Sequence, residues 1–315
     1  AHEADKVQGF HNAMMLFAVV GTVFLLITFF TTRERIVPAP EQKSSVVQDL
    51  SDLVRNRPWV VMLLLTILVF TTLALKGGMY VYYFQYYLDE AALAAFLQGI
   101  GFNGFIAGLN HLLTGIGLTS FLWPEDAPTS AFSLFNAGGI IFMIIGIGFS
   151  KKLADRFGKR DVFGAALFLS TLFMLGFYIY PPDAIGLVFG SQILHGFFYG
   201  ITIPLLWAMM ADVADFSEWK NHRRATGIVF SAIVFALKAG LGFGGAITGY
   251  VLSLYGYVPN VAQSAQALDG IRYTMSIFPA LTFAICAGCL AFYEIDKRRE
   301  DQMAAELVAR RATYV

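Results

Sequence analysis

The chain has 315 residues, 57% of them hydrophobic and only 14% charged, and its 22 basic and 22 acidic side chains cancel to a formal net charge of zero. A soluble domain carries about 25% charged residues, so the composition excludes a water-soluble fold and predicts a membrane protein. No nucleic-acid partner is expected. The two cysteines, Cys286 and Cys289, form C-x-x-C within an apolar helix. That setting suits small-residue packing better than redox chemistry, because reactive thiols need an electropositive, accessible environment. The chain opens AHEADK, with neither a methionine nor a signal peptide, and reads as truncated.

Residues 1–10 are polar, and Asn12 to Phe30 make a first span. Residues 31–57 hold five Lys or Arg and two prolines. Their last part, VVQDLSDLVRNRP, reads as a short amphipathic helix on the membrane face. Pro58 to Leu88 is a long second span. Along it Thr72, Lys76, Tyr80, Tyr83 and Tyr87 fall near one face. For Lys76 and Tyr80 that face predicts a cavity, where an aromatic ring offers an apolar plane and a hydroxyl rim. Tyr83 and Tyr87, near the span's end, suit either that cavity or an outer aromatic belt.

Residues 91–121 are apolar and glycine-rich, with Asn103, Asn110 and His111. A single crossing here would put KKLADRFGKR on the opposite face from the other basic loops, and about thirty residues are too few for two crossings of roughly 20 each. The stretch is therefore expected to be an outer interfacial or re-entrant insertion within residues 89–129, closed by the turn WPEDAP. Ser130 to Ser150 form a third span, followed by the loop KKLADRFGKR, where Gly158 supplies a tight turn. Val162 to Tyr180 make a fourth span with almost no polar handle and read as scaffold. The fifth, about residues 184–210, carries Gln192, His195, Tyr199 and Thr202 on one face, with Pro204 as a kink. A lone histidine in such a place is more often a packing residue than a proton carrier.

Asp212, Asp215 and Glu218 then recur at spacings of three, an acidic stripe on a helix. Acids at a helix's C-terminal end oppose its macrodipole, so they need basic partners. Arg224 and a loop outside this chain are the candidates, and with Asp155 and Arg156 they would make a cytoplasmic gate. The bland alternative is a set of solvated charges that hold topology. From Ala225 to Leu254 the only charge is Lys238, close to the middle of a sixth span. A mid-membrane lysine costs about 2.5–3.5 kcal/mol on insertion scales and points to function. Ser231, Val234, Lys238, Gly242 and Gly245 share its helical face, which again suggests a cavity. Ile271 to Tyr293 form a seventh span, and residues 295–315 a charged tail.

Of the 22 basic residues, 18 lie in the linker, the two loops after the third and fifth spans, and the tail. The positive-inside rule then places the N-terminus outside and the C-terminus in the cytoplasm.

The wording ADVADFSEWK, RRATG, the mid-helix Lys238 and GYVPNVAQSAQALDGIR resembles the glycoside-pentoside-hexuronide:cation symporters, the melibiose permease family within the major facilitator superfamily. ADRFGKR resembles the superfamily's loop signature, although the glycine that usually opens it is Lys151 here. The resemblance is detailed over residues 211–272 and looser over the rest. It implies an all-α membrane fold: residues 1–30 hold the last helix of an N-terminal half, 31–57 the central cytoplasmic linker, and 58–294 a C-terminal six-helix bundle. It also implies cation-coupled symport of a glycoside, pentoside or hexuronide across a bacterial inner membrane, by a carrier that is monomeric when complete. Lys238, Lys76, Tyr80, Asn136, Tyr199, Thr202, Ser231 and Val234 become its candidate sugar-binding residues. The coupling cation, sodium or proton, is expected mainly in the N-terminal half, with no other cofactor. A seven-helix receptor or sensor is the competing reading. An enzyme is disfavoured, since the five histidines lie on separate segments and neither H-E-x-x-H nor G-x-S-x-G occurs.

Overall fold

The computed structural model describes residues 2–32, 46–119, 122–124, 126–222 and 226–312. They fall into two compact units, Ala1–Lys43 and Ser44–Val315. The first unit holds α1, His2–Thr31. Its Met14–Thr31 stretch is apolar enough to cross a membrane. There Thr22, Thr28 and Thr31 donate their hydroxyls to the carbonyls of Ala18, Phe24 and Ile27, so no side-chain donor is left unpaired in hydrocarbon.

The second unit begins with α2 (Val46–Val54) and α3 (Arg57–Tyr82), which continues as a π-helical turn over Tyr83–Tyr87. Asn56 caps α3 by accepting from Trp59 N at 3.2 Å, and Pro58 fits the first turn, where no amide donor is needed. The amphipathic helix read from VVQDLSDLVRNRP is α2, which buries Leu53 completely in the core. Then come α4 (Glu90–Gly99), α5 (Phe102–Gly115), α6 (Ala127–Phe157), α7 (Lys159–Ile179), α8 (Ile185–Asn221), α9 (Thr226–Leu254), α10 (Ala265–Arg272) leading through a π-turn into α11 (Phe278–Cys289), and α12 (Lys297–Arg311). Among the described residues there is no strand.

Among the described residues seven helices are long and apolar enough to span a bilayer, as the sequence predicts, so the chain is an all-α, multi-pass membrane protein. Two of them run past the predicted ends. α8 continues through Pro204 and beyond Met210 to Asn221, carrying the acidic stripe on the same helix, and α6 continues through Lys151, Lys152, Asp155 and Arg156. The 91–121 stretch forms α4 and α5, of 10 and 14 residues, bent at 78°. At 1.5 Å per residue neither reaches the roughly 30 Å of a hydrocarbon core; only as one bent span would the pair bring the total to eight. Gly101 makes the break at φ +73°, where a side chain would be strained. Asn110 clasps the returning strand of chain, donating to Trp123 O at 3.0 Å and accepting from Trp123 N at 2.7 Å.

Glycine decides which helices touch closely. On α6 and α8, Gly139 and Gly146 meet Gly196 and Gly200 so tightly that a Cβ at any of the four would strike the opposing helix. On α9, Gly240 and Gly244 lie against the α3 backbone near Ile67 and Thr71, and Thr71 donates to Gly240 O at 3.2 Å. This is the small-residue packing that lets membrane helices approach without a hydrophobic driving force.

Candidate functional site

Three of these helices meet around a cavity of about 280 Å³. α3 contributes Lys76 and Tyr80, one turn apart; α6 contributes Asn136; α8 contributes Gln192, His195 and Tyr199 at helical spacing. Gly139 leaves room for the Gln192 side chain, whose Nε2 would sit 2.5 Å from an added Cβ. The Tyr80 hydroxyl donates to Gln192 Oε1 at 3.2 Å, and the Tyr80 ring packs edge-on against Phe135 at 4.9 Å.

At the base of the cavity lies a buried polar chain. Lys76, only 6% exposed, hydrogen-bonds His195 Nε2 through its Nζ, which also stands 5.0 Å from the centre of the Tyr199 ring. On its other side His195 Nδ1 meets Ser170 Oγ at 2.7 Å. The His195, Tyr199 and Phe283 rings lie nearly parallel, with centroids 6.0, 6.4 and 6.0 Å apart in the three pairs. None of the described residues lining the cavity is acidic. The wall therefore combines hydrogen-bond donors and acceptors with two tyrosine rings, the mixture that a polyhydroxylated ring with one apolar face requires.

Of the residues singled out in the sequence, Lys76, Tyr80, Asn136 and Tyr199 come together here. Thr202 lies just below, buried, with its hydroxyl donated to Tyr199 O at 2.6 Å, so it supports the wall rather than lining it. Ser231, Val234 and Lys238 are not brought to this cavity. α9 buries Val229, Ile233, Ala236, Gly240 and Gly244, and a residue offset by two positions points about 200° away. All three are thus exposed on the opposite side of α9, where among the described residues Lys238 has no hydrogen bond or ion pair. Their shared face is real, but it is not the face that meets α3. Lys76, whose face on α3 predicts a cavity, is buried and lines one. Tyr83 and Tyr87 form no outer belt: their hydroxyls donate to Phe177 O at 3.1 Å and Tyr180 O at 2.7 Å, tying α3 to the end of α7. Sequence reasoning missed Ser170, and passed over His195. The adjacent polar pair Ser170 and Thr171 in an otherwise apolar span was the available signal.

The acidic stripe has partners within this chain. Asp212 accepts from Lys159 Nζ at 2.7 Å, and Lys159 also reaches Glu300 at 3.0 Å. Arg311 pairs with Asp215 at 2.8 Å and Glu218 at 2.7 Å. Arg310 donates to the carbonyls of Glu218 and Trp219, which places a cation on the negative end of α8. The hydrogen bond to Glu218, with help from Asp215 and against partial burial, holds the Arg311 guanidinium above its ordinary value. α12 folds back to bring Arg311 to Asp215 and Glu218, while Asp212 is met by Lys159 of α7. Arg224 lies outside the described residues. Asp155 and Arg156 are exposed on the end of α6, with Arg156 over the Phe157 ring at 5.0 Å. Gly158, at φ +88°, makes the predicted turn into α7 and packs at 3.0 Å, measured from an added Cβ, against Lys297.

The profile of the MFS/sugar transport protein family matches residues 2–124 and 127–297. A putative glycoside/cation symporter of Escherichia coli (strain K12) is 28% identical over 311 residues, covering 98% of this chain and 59% of the relative. An isoprimeverose transporter of Lactiplantibacillus pentosus is 29% identical over 309 residues, covering 98% and 56%. An inner membrane symporter of E. coli (strain K12) is 28% identical over 284 residues, covering 90% and 53%. The chain thus spans little more than half the length of these relatives. With its seven apolar helices and its polar, aromatic cavity, the chain belongs to the MFS/sugar transport protein family.

Proposed function

We propose that the chain serves cation-coupled sugar symport, with a glycoside, pentoside or hexuronide as substrate and the Lys76, Tyr80, Asn136, Gln192 and Tyr199 cavity as its part of the sugar site. The observation that carries this reading is the convergence of amine, amide and phenol groups with tyrosine rings at the meeting point of three spanning helices. Its relatives' names, a glycoside/cation symporter and an isoprimeverose transporter, point the same way. In this reading the spans from α3 to α11 form a C-terminal six-helix half, α1 is the last helix of the N-terminal half, and substrate binds between halves. The coupling ion, sodium or proton, is held mainly by that other half. The carrier is a monomer in a bacterial inner membrane with α12 in the cytoplasm, where the ion pairs of Asp212, Asp215 and Glu218 form a cytoplasmic latch.

The test is uptake of radiolabelled glycosides, pentosides and hexuronides by membrane vesicles containing the gene product that includes this chain, under an imposed sodium or proton gradient. Concentrative uptake that collapses with the gradient is expected. Entry of no sugar in the panel under either gradient would overturn the reading.

A further inference from the structure

We infer that the sugar taken by this cavity carries a negative charge, a carboxylate or sulfonate docked on Lys76. The inference rests on the reading of the cavity as a sugar site and names the substrate class within it.

The argument starts from a missing partner. Elsewhere in the same unit, half-buried cations meet carboxylates: Lys159 meets Asp212 and Glu300, Arg311 meets Asp215 and Glu218, and Arg272 meets Asp269. Lys76 is more deeply buried than any of these, yet its Nζ contacts only His195 and the Tyr199 ring among the described residues. The elements packed around it supply no acid. α6 offers Asn136, α7 Ser170, α8 Gln192 and Tyr199, and α11 Thr282, all neutral.

His195 adds no negative charge to the site. Two bases in direct hydrogen-bond contact share one extra proton, since a second would place two cations side by side, so the pair carries at most a single positive charge. The Ser170 contact occupies Nδ1, which leaves Nε2 facing the lysine. A buried charge is costly unless it is paired, and an enclosed ionisable residue in a membrane span calls for a partner. The cavity opens directly onto Lys76, so an anionic group on the ligand completes the pair. The amides of Asn136 and Gln192 remain for ring hydroxyls. Charge then discriminates between substrates of equal shape.

Isosteric pairs test this. The gene product that includes this chain, in lipid nanodiscs, is titrated with glucuronate against glucuronamide, galacturonate against galacturonamide, and 6-deoxy-6-sulfoglucose against glucose. At least one acid should bind about tenfold or more tightly than its uncharged partner. The preference should fall to parity in Lys76→Met and be retained in part in Lys76→Arg. Because the wild-type comparison needs no variant, misfolding of Lys76→Met does not blunt it. Uncharged partners that bind as well as the acids in every pair would overturn the inference and leave the sugar-site reading standing. Binding of no sugar, charged or neutral, would remove both.

Discussion

Gly196 and Gly190 lie on the same helix, and alanine at the two positions should move stability in opposite directions. An added Cβ at Gly196 would stand 2.5 Å from Gly139 O, where ordinary contact begins at 3.4 Å, so α6 and α8 must part by roughly 0.9 Å. A gap of that size forfeits a quarter to a half of each contact of about 0.1–0.2 kcal/mol, and on the order of 40 contacts bring the loss to about 2 kcal/mol, within the usual cost of overpacking. At about 2–4 °C per kcal/mol for a unit of this size, the thermal midpoint should drop by roughly 5 °C. The same separation moves Asn136 away from Gln192, so sugar affinity should fall with it. At Gly190 nothing lies within 4 Å, and alanine there should add about 0.5–1 kcal/mol by restricting the unfolded chain. The assay is thermal unfolding of purified protein in mild detergent, followed by tryptophan fluorescence. A Gly196→Ala protein that melts at or above the wild type, or a Gly190→Ala protein that is equally damaged, would refute the packing argument.

Arg311→Ala removes the contacts that hold α12 to Asp215 and Glu218; since the pair is one-third exposed, global stability should change by about 1 kcal/mol or less, while trypsin should cut the tail markedly faster. Unchanged cleavage would mean that Met303 and Leu307, both buried, hold the helix alone. Single cysteines at Thr129 and Lys220, both exposed, should label from opposite faces of the membrane. Labelling of both from one side would contradict the orientation drawn from the basic residues. Vesicles holding only these 315 residues should not accumulate sugar, because a site between two halves is not completed by one; concentrative uptake would contradict the half-carrier reading.

The spans were legible because apolar runs of about 20 residues leave few alternatives, and the stripes on α3 and α8 gave Lys76, Tyr80, Tyr199 and Thr202 through simple helical spacing. The orientation of α9 was not. Lys238, Ser231 and Val234 share a face, but a helix with small or polar residues on two sides does not reveal which side meets its neighbour. Gly240 and Gly244 decide it through backbone contact with α3, a tertiary fact. The pairing of Asp215 and Glu218 with Arg311 was not legible for a similar reason: α12 is about ninety residues further along the chain, and no local pattern marks its return. The stripe placed Lys76 on a cavity face, but its contact with His195, and through it Ser170, depends on the packing of α7 and α8 against α3.

The central claim is that sugar occupies the cavity between α3, α6 and α8 and not the exposed face of α9. Cysteine alkylation tests it most directly. In a background with Cys286 and Cys289 replaced by alanine, the maleimide reaction of Asn136→Cys should be strongly slowed by saturating sugar, and that of Lys238→Cys should be unaffected. Protection of Lys238→Cys with Asn136→Cys reacting at its unliganded rate would contradict the account.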